Sequence, residues 1–172
     1  MGDLKVLIDE ETLQQKIGEL AEKIMIDYEG KELTFICILK GSAFFTVDLA
    51  KKIKNNVRIE FIRVSSYGNA TVSSGKVTMK LGLHDSIEGR DVIIIEDIID
   101  TGRTLSYLRD YLKDKKPASL KICTLLDKKE RREFDIEPDY TAFEIPDKFV
   151  VGYGLDDKEN FRNLPYIGYY DI

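Results

Sequence analysis

An α/β fold built on a mainly parallel central sheet flanked by helices is predicted by two features of the chain. The first is the β-branched run "DVIIIED", Asp91–Asp97, continuous in the way of strands covered on both faces. The second is alternation. Strand-like apolar segments take turns with segments of helical periodicity, which is the pattern of βαβ units. The 172 residues, 43% hydrophobic and 33% charged, suit one soluble domain with a real core. No internal repeat, low-complexity tract or interdomain linker divides them.

Leu4–Ile8 is a short apolar start. Asp9 then offers an N-cap to a helix with an acidic first turn, and Leu13, Ile17, Leu20, Ala21 and Ile24 give that helix one apolar face. "ELTFICILKGS" reads as a buried strand ending at Lys40-Gly41, and "AFFTVDLAKKIKN" resumes the helical pattern. "VRIEFIRVSS" is strand-like. Residues 65–76, "SSYGNATVSSGK", are small, polar and glycine-containing, the composition of a mobile loop and, at this length, of a lid. "VTMKLGL" alternates weakly as a strand before the β-branched run. Gly102 to Lys116 reads as a helix closing before Pro117, and "SLKICTLL" as another buried strand. "DKKERREFDIEPDY" is a charged connection, expected to be mostly a solvated turn. The remainder has short β-like pieces broken by proline and glycine.

Several classes are excluded or disfavoured. The net charge of −5 argues against a broad nucleic-acid surface. No apolar run reaches the ~18 residues of a membrane span. The N-terminal segment lacks a secretory pattern, so a cytoplasmic location is expected. Cys37 and Cys123 lie in apolar strands and read as buried thiols; with a single histidine they make no zinc site. His84, in a polar turn, reads as a surface residue. Acid–base chemistry would therefore fall to a carboxylate.

Lys40, Asp97 and Asp127 all fall at the carboxyl ends of strands, where open α/β sheets bind ligands, and this suggests one shared site. In "VIIIEDIIDTGRTL" the strand finishes in Glu96, Asp97 and Asp100. Such acids could ligate magnesium, accept a phosphoryl group, or hold sugar hydroxyls beside a phosphate. The tail favours the third. Asp100-Thr101-Gly102-Arg103-Thr104 is small, hydroxylated and opens a helix, so its backbone N–H groups would cradle a phosphate. A P-loop is absent.

Two acids, "IID" and "TGRT" after a β-branched strand resemble the phosphoribosyl-diphosphate-binding signature of type I phosphoribosyltransferases. "LKGS" at 39–42, "SSYGN" at 65–69, "LLDK" at 125–128 and "IPDKFVVGYGLD" at 145–156 narrow the resemblance to the 6-oxopurine salvage branch, hypoxanthine-guanine phosphoribosyltransferases of bacterial type. The resemblance implies one domain over 1–172, with a core of about 10–138, a small hood from about 1–9 and 139–172, and a lid loop at about 65–77. It implies that Asp100 is the general base near purine N7. Glu96 and Asp97 would address the ribose hydroxyls, directly or through Mg2+. Thr101, Gly102, Arg103 and Thr104 would hold the 5′-phosphate. Lys40, Gly41 and Arg162 would meet diphosphate, and Lys40-Gly41 matches a dipeptide that in the family can adopt a non-proline cis bond, an isomer that sequence does not show. Lys128 would donate to the 6-oxo oxygen, Phe149 would stack on the base, and the Val150 carbonyl would meet its exocyclic edge. Asp156, with Glu96 and Asp97, would be a metal ligand, and Ser66 and Tyr67 would form the lid tip. The partners implied are small-molecule substrates and further copies of the chain, as a dimer or tetramer, with neither nucleic acid nor membrane. A phosphoribosyl-diphosphate-sensing, nucleic-acid-binding regulator of the same fold is the alternative.

Overall fold

The computed structural model describes residues 3–66 and 76–170. Its element order is β1 (Leu4–Ile8), α1 (Glu10–Asp27), β2 (Leu33–Leu39), α2 (Ala43–Lys52), β3 (Val57–Ser66), β4 (Val77–Leu81), β5 (Asp91–Ile99), α3 (Arg103–Lys113), β6 (Ser119–Asp127), β7 (Tyr140–Glu144), β8 (Val150–Val151) and β9 (Ile167–Tyr170). Six strands form one sheet in the order β4-β3-β2-β5-β6-β7. All its neighbours are parallel except β3 and β4, which run antiparallel. The chain is therefore the α/β protein its alternating pattern predicts.

Period-2 alternation sorts the sheet residues onto two apolar layers. Phe35, Ile93, Ile95, Cys123 and Leu125 face α1 and α2, together with Leu13, Ile17, Phe45 and Leu49. Ile36, Ile38, Val92, Ile94 and Ile122 face the other way, against Leu105, Leu108 and Leu112 of α3. Because both faces are covered, β5 carries no polar position between Asp91 and Glu96. The helix start expected at Asp9 is realised, its side chain accepting the Thr12 N–H at 2.8 Å. Helix α3 ends at Lys113 rather than Lys116; Lys116 has a positive φ of 56° and its carbonyl accepts from Gly89 N–H.

A second, three-stranded sheet in the order β1-β9-β8 joins the two ends of the chain. Its boundary differs from the expected one. Tyr140–Glu144 is not part of it but extends the large sheet beside β6, so the small sheet draws on the segments before Asp9 and after Lys148. Hydrogen bonding along β6 outweighs the proline-broken appearance of that stretch. Tyr153 ties the C-terminal segment to the helical layer, its hydroxyl donating to Asp48 at 2.5 Å while Gln14 donates to the same carboxylate oxygen at 3.0 Å. Among the described residues no helix is long and apolar enough to cross a membrane. Cys37 and Cys123 are buried free thiols, and the His84 side chain is 93% exposed.

Candidate active site

The end of β5 builds the first half of the site. Glu96 closes the continuous buried run, 7% exposed, and accepts the Asp97 N–H at 3.0 Å. Burial, and then the neighbouring Asp97 carboxylate, push the Glu96 carboxyl well above its ordinary range. Asp97 accepts the Ile98 N–H through Oδ1 at 2.7 Å and lies directly against Gly41, which follows the adjacent strand β2. Any side chain at position 41 would collide with that carboxylate, so glycine is what lets the two strand ends meet.

Asp100 follows, its side chain 45% exposed, with Arg131 Nε 3.0 Å from Oδ1 but not aligned for a hydrogen bond. The chain then turns through Gly102, whose φ of 86° is left-handed, and enters α3. No side chain caps this helix start, and the Arg103 N–H donates to Thr101 Oγ1 at 3.3 Å. Glu96, Asp100 and Thr101 to Leu105 line a cavity of about 100 Å³ here. The first N–H groups of α3 and its positive dipole end face an anion-sized hollow beside hydroxyl donors.

The second half comes from β6 and the C-terminal segment. In the sheet register Ile99 of β5 lies opposite Asp127 of β6, so Asp100 and Lys128 leave adjacent strand ends together. The Lys128 N–H donates to Ile99 O at 3.0 Å, stitching the two ends. The two neighbouring lysines part company. Lys128 is 7% exposed with Nζ 3.7 Å from Asp147, whereas Lys129 turns outward onto Glu144 at 2.5 Å. Phe149 is 48% exposed, so it is not spent on core packing, and Val150 beside it is buried and paired with Tyr169. Asp127, expected to share the site, is instead fully buried and faces Arg132.

A third cluster gathers cations. Lys40 Nζ lies 2.8 Å from Glu159, and Arg162 Nη2 lies 3.0 Å from both Glu159 and Asp156. Arg162 also donates to the Gly154 carbonyl at 2.7 Å, while its buried Nε has no partner among the described residues. The Lys40 ammonium and Arg162 guanidinium beside Glu159 hold its carboxyl below the usual range. Sequence reasoning missed Glu159, which sits at positive φ in an irregular loop with no local pattern to mark it. Gly154, at φ 100°, packs its backbone against the Gly41 carbonyl where a Cβ would overlap it, and so closes this cluster onto the end of β2. The bond left open at Lys40-Gly41 is trans; the non-proline cis peptide lies one residue earlier, at Leu39-Lys40.

For a divalent cation, Asp97 and Asp156 offer hard carboxylate oxygens of the type magnesium takes. Among the described residues no three acidic, histidine or cysteine side chains converge. That donor set suits an ion carried mainly by substrate oxygens, as magnesium commonly is, rather than an all-protein cage. Ser66 closes β3; Tyr67 and most of the expected lid at 65–77 lie outside the described residues.

Residues 7–158 match the family model for the phosphoribosyl transferase domain. The chain is 52% identical over 164 residues to the hypoxanthine-guanine phosphoribosyltransferase of Bacillus subtilis strain 168, covering 95% of this chain and 91% of that protein. It is 53% identical over 164 residues to the bifunctional protein TilS/HprT of Listeria monocytogenes serotype 4b strain F2365. That match covers 95% of this chain but only 25% of the longer relative. Among solved structures, a hypoxanthine-guanine phosphoribosyltransferase from Bacillus anthracis, with a HEPES molecule in its active site, aligns with a TM-score of 0.94 at 49% identity. The alignment spans 99% of this chain and 100% of that one. Fold and sequence agree, and the chain belongs to the phosphoribosyl transferase domain family.

Proposed function

We propose that the chain is a purine-salvage enzyme that moves the 5-phosphoribosyl group from phosphoribosyl diphosphate to N9 of hypoxanthine or guanine. The products would be IMP or GMP and diphosphate. The observation that carries this reading is the joint exit of Asp100 and Lys128 from adjacent parallel strands, with the Thr101–Thr104 turn directly behind Asp100.

In this reading the N9–C1′ bond forms as the C1′–diphosphate oxygen bond breaks, and positive charge builds on the sugar and the purine ring. Asp100 accepts the purine N7 proton, a step worth ~10²–10⁴-fold when the base is well placed. Lys128, held nearly dry beside Asp147, donates to the 6-oxo oxygen and so selects 6-oxopurines over 6-aminopurines. Phe149 offers an exposed ring face to the base, and the Val150 carbonyl meets its exocyclic edge. The N–H groups and hydroxyls of Thr101, Gly102, Arg103 and Thr104 hold the 5′-phosphate. Glu96 and Asp97 face the ribose. Lys40, Gly41 and Arg162 take the departing diphosphate, whose charge would replace Glu159 as the partner of both cations. Magnesium bound by the substrate, with Asp156, Asp97 and Glu96 as the protein carboxylates that would hold it, would offset the leaving group's negative charge.

The direct test incubates the protein with phosphoribosyl diphosphate, Mg2+ and, separately, hypoxanthine, guanine, xanthine, adenine and uracil. Formation of IMP and GMP is expected, with adenine and uracil unused. Failure to make nucleotide from any 6-oxopurine would remove the assignment. Salt-dependent nucleic-acid binding without turnover would put a regulator in its place. Sedimentation of the same preparation is expected to give a dimer or tetramer.

A further inference from the structure

The connection from Lys128 to Ile136 does more than cross the surface. After one 3₁₀ turn at Lys129–Arg131 the chain sends Arg132 inward, its side chain only 11% exposed. The guanidinium fork reaches three separate segments. Nη2 donates to Asp127 at the end of β6, Nε to the backbone carbonyl of Asp100 at 3.4 Å, and Nη1 to the Ile136 carbonyl. Its stem lies flat against Gly102, where an added Cβ would come within 3.0 Å of Arg132 Cδ. The next two residues complete the brace, the Glu133 and Phe134 N–H groups both donating to the Thr101 carbonyl at 2.9 and 3.1 Å.

We propose that Arg132 is a positioning residue: by bridging Asp127 to the Asp100 carbonyl, it sets the separation between the purine-reading end of β6 and the turn that carries the base and the phosphate cradle. The inference rests on the roles proposed above for Asp100 and Lys128. Arg132 touches neither substrate nor reacting atoms. It acts through Asp100, whose backbone it holds, and through Asp127, the neighbour of Lys128.

A counter-charge for the buried Asp127 would not by itself require arginine. One cation suffices for that, and lysine supplies it as a point charge on a single nitrogen; only the planar guanidinium donates from three separate, rigidly spaced nitrogens, as Arg132 does through Nε, Nη1 and Nη2. The Asp127 carboxylate uses one oxygen on Arg132, while its buried Oδ2 has no partner among the described residues, so the pair is not arranged to satisfy Asp127 alone. Buried ion pairs also contribute little net stability compared with apolar replacements. Geometry is what this one adds. A misplacement of about 1 Å at a reacting centre can cost ~100-fold in rate, so loosening this brace has a kinetic signature separate from unfolding.

The test compares Arg132→Lys with the unsubstituted protein for melting temperature, kcat, and KM for each substrate, and repeats the comparison in a Lys128→Ala background. Arg132→Lys is expected to melt within a few degrees of the unsubstituted protein yet lose at least tenfold in kcat. The penalty of Lys128→Ala should shrink in the Arg132→Lys background, because Lys128 is then already out of register with the base. If Arg132→Lys does not fold, the paired variant Asp127→Asn/Arg132→Gln removes both charges and reads the same quantities; a folded pair with kcat lost supports the role. Unchanged kcat in whichever variant folds, or strictly additive penalties, would overturn it. Absence of nucleotide formation by the unsubstituted protein would instead remove the underlying activity, and the role with it.

Discussion

The two ends of the site are built in opposite ways. At the phosphate end, Glu96 to Thr104 form one unbroken stretch, in which a strand, a left-handed glycine and a helix start present backbone N–H groups in order. At the proposed purine end two separate pieces of chain meet, Lys128 after β6 and the stretch at 147–150, brought together where Lys128 Nζ lies 3.7 Å from Asp147. In the proposed reading the phosphate end works chiefly through main chain, which tolerates changes of side chain. The purine end relies on the Lys128 and Phe149 side chains together with the Val150 carbonyl. Substitutions should therefore be sharper and more substrate-selective at the purine end, except where the two ends meet.

They meet at Asp100, and the largest effect is expected there. Asp100→Asn keeps the size of the side chain but removes the proton acceptor, so kcat should fall by ~10²–10⁴. Binding of phosphoribosyl diphosphate, followed calorimetrically, should persist because the cradle is main chain. If turnover is unchanged, Asp100 belongs to the phosphate end alone and the junction disappears.

Lys128→Ala comes next. Losing a charged donor to the 6-oxo oxygen costs about 1.5–3 kcal/mol, or roughly ten- to hundredfold in kcat/KM for hypoxanthine. The KM for phosphoribosyl diphosphate should hardly move. Equal losses for both substrates would mean that the ends are not separable.

The smallest effect concerns stability beneath the phosphate end. Burial raises the Glu96 carboxyl above its ordinary value of 4.5. Its stabilising contribution is complete below the unfolded value and is lost as pH rises through the raised one. Glu96→Gln, measured without metal or substrate, should flatten the fall of melting temperature on the alkaline side of 4.5. Each kcal/mol recovered is worth ~2–4 °C in a chain of this size. Parallel curves for the two proteins would show that Glu96 titrates as an ordinary surface acid.

The same contrast between the two ends explains which features are legible in the residues alone. The β-branched run, the Asp9 cap, the phosphate turn and the α/β class are local patterns, because hydrogen-bond periodicity, capping and glycine's left-handed freedom act over a few residues. The Lys128 and Phe149 assignments rest on family resemblance rather than on local chemistry. Taken alone, Phe149 reads as core, and only its 48% exposure separates the two uses of an aromatic ring. "DKKERREFDIEPDY" reads as solvated because its composition is charged. Composition does not reveal that Arg132 turns inward while its neighbour Arg131 stays 48% exposed beside Asp100.

By itself, then, the sequence determined the layered architecture, the order of its elements and the glycine turn that opens α3, all consequences of interactions between near neighbours in the chain. Tertiary structure decided the rest. The pairing of Ile99 with Asp127 puts Asp100 and Lys128, the proposed base and purine reader, at adjacent strand ends. The contact of Gly41 with Asp97 and Gly154 closes the cation cluster, and Glu159 joins Lys40 to Arg162. Those relations join residues up to 119 positions apart. They depend on strand register and on which face of the sheet each segment reaches, and no local pattern encodes either.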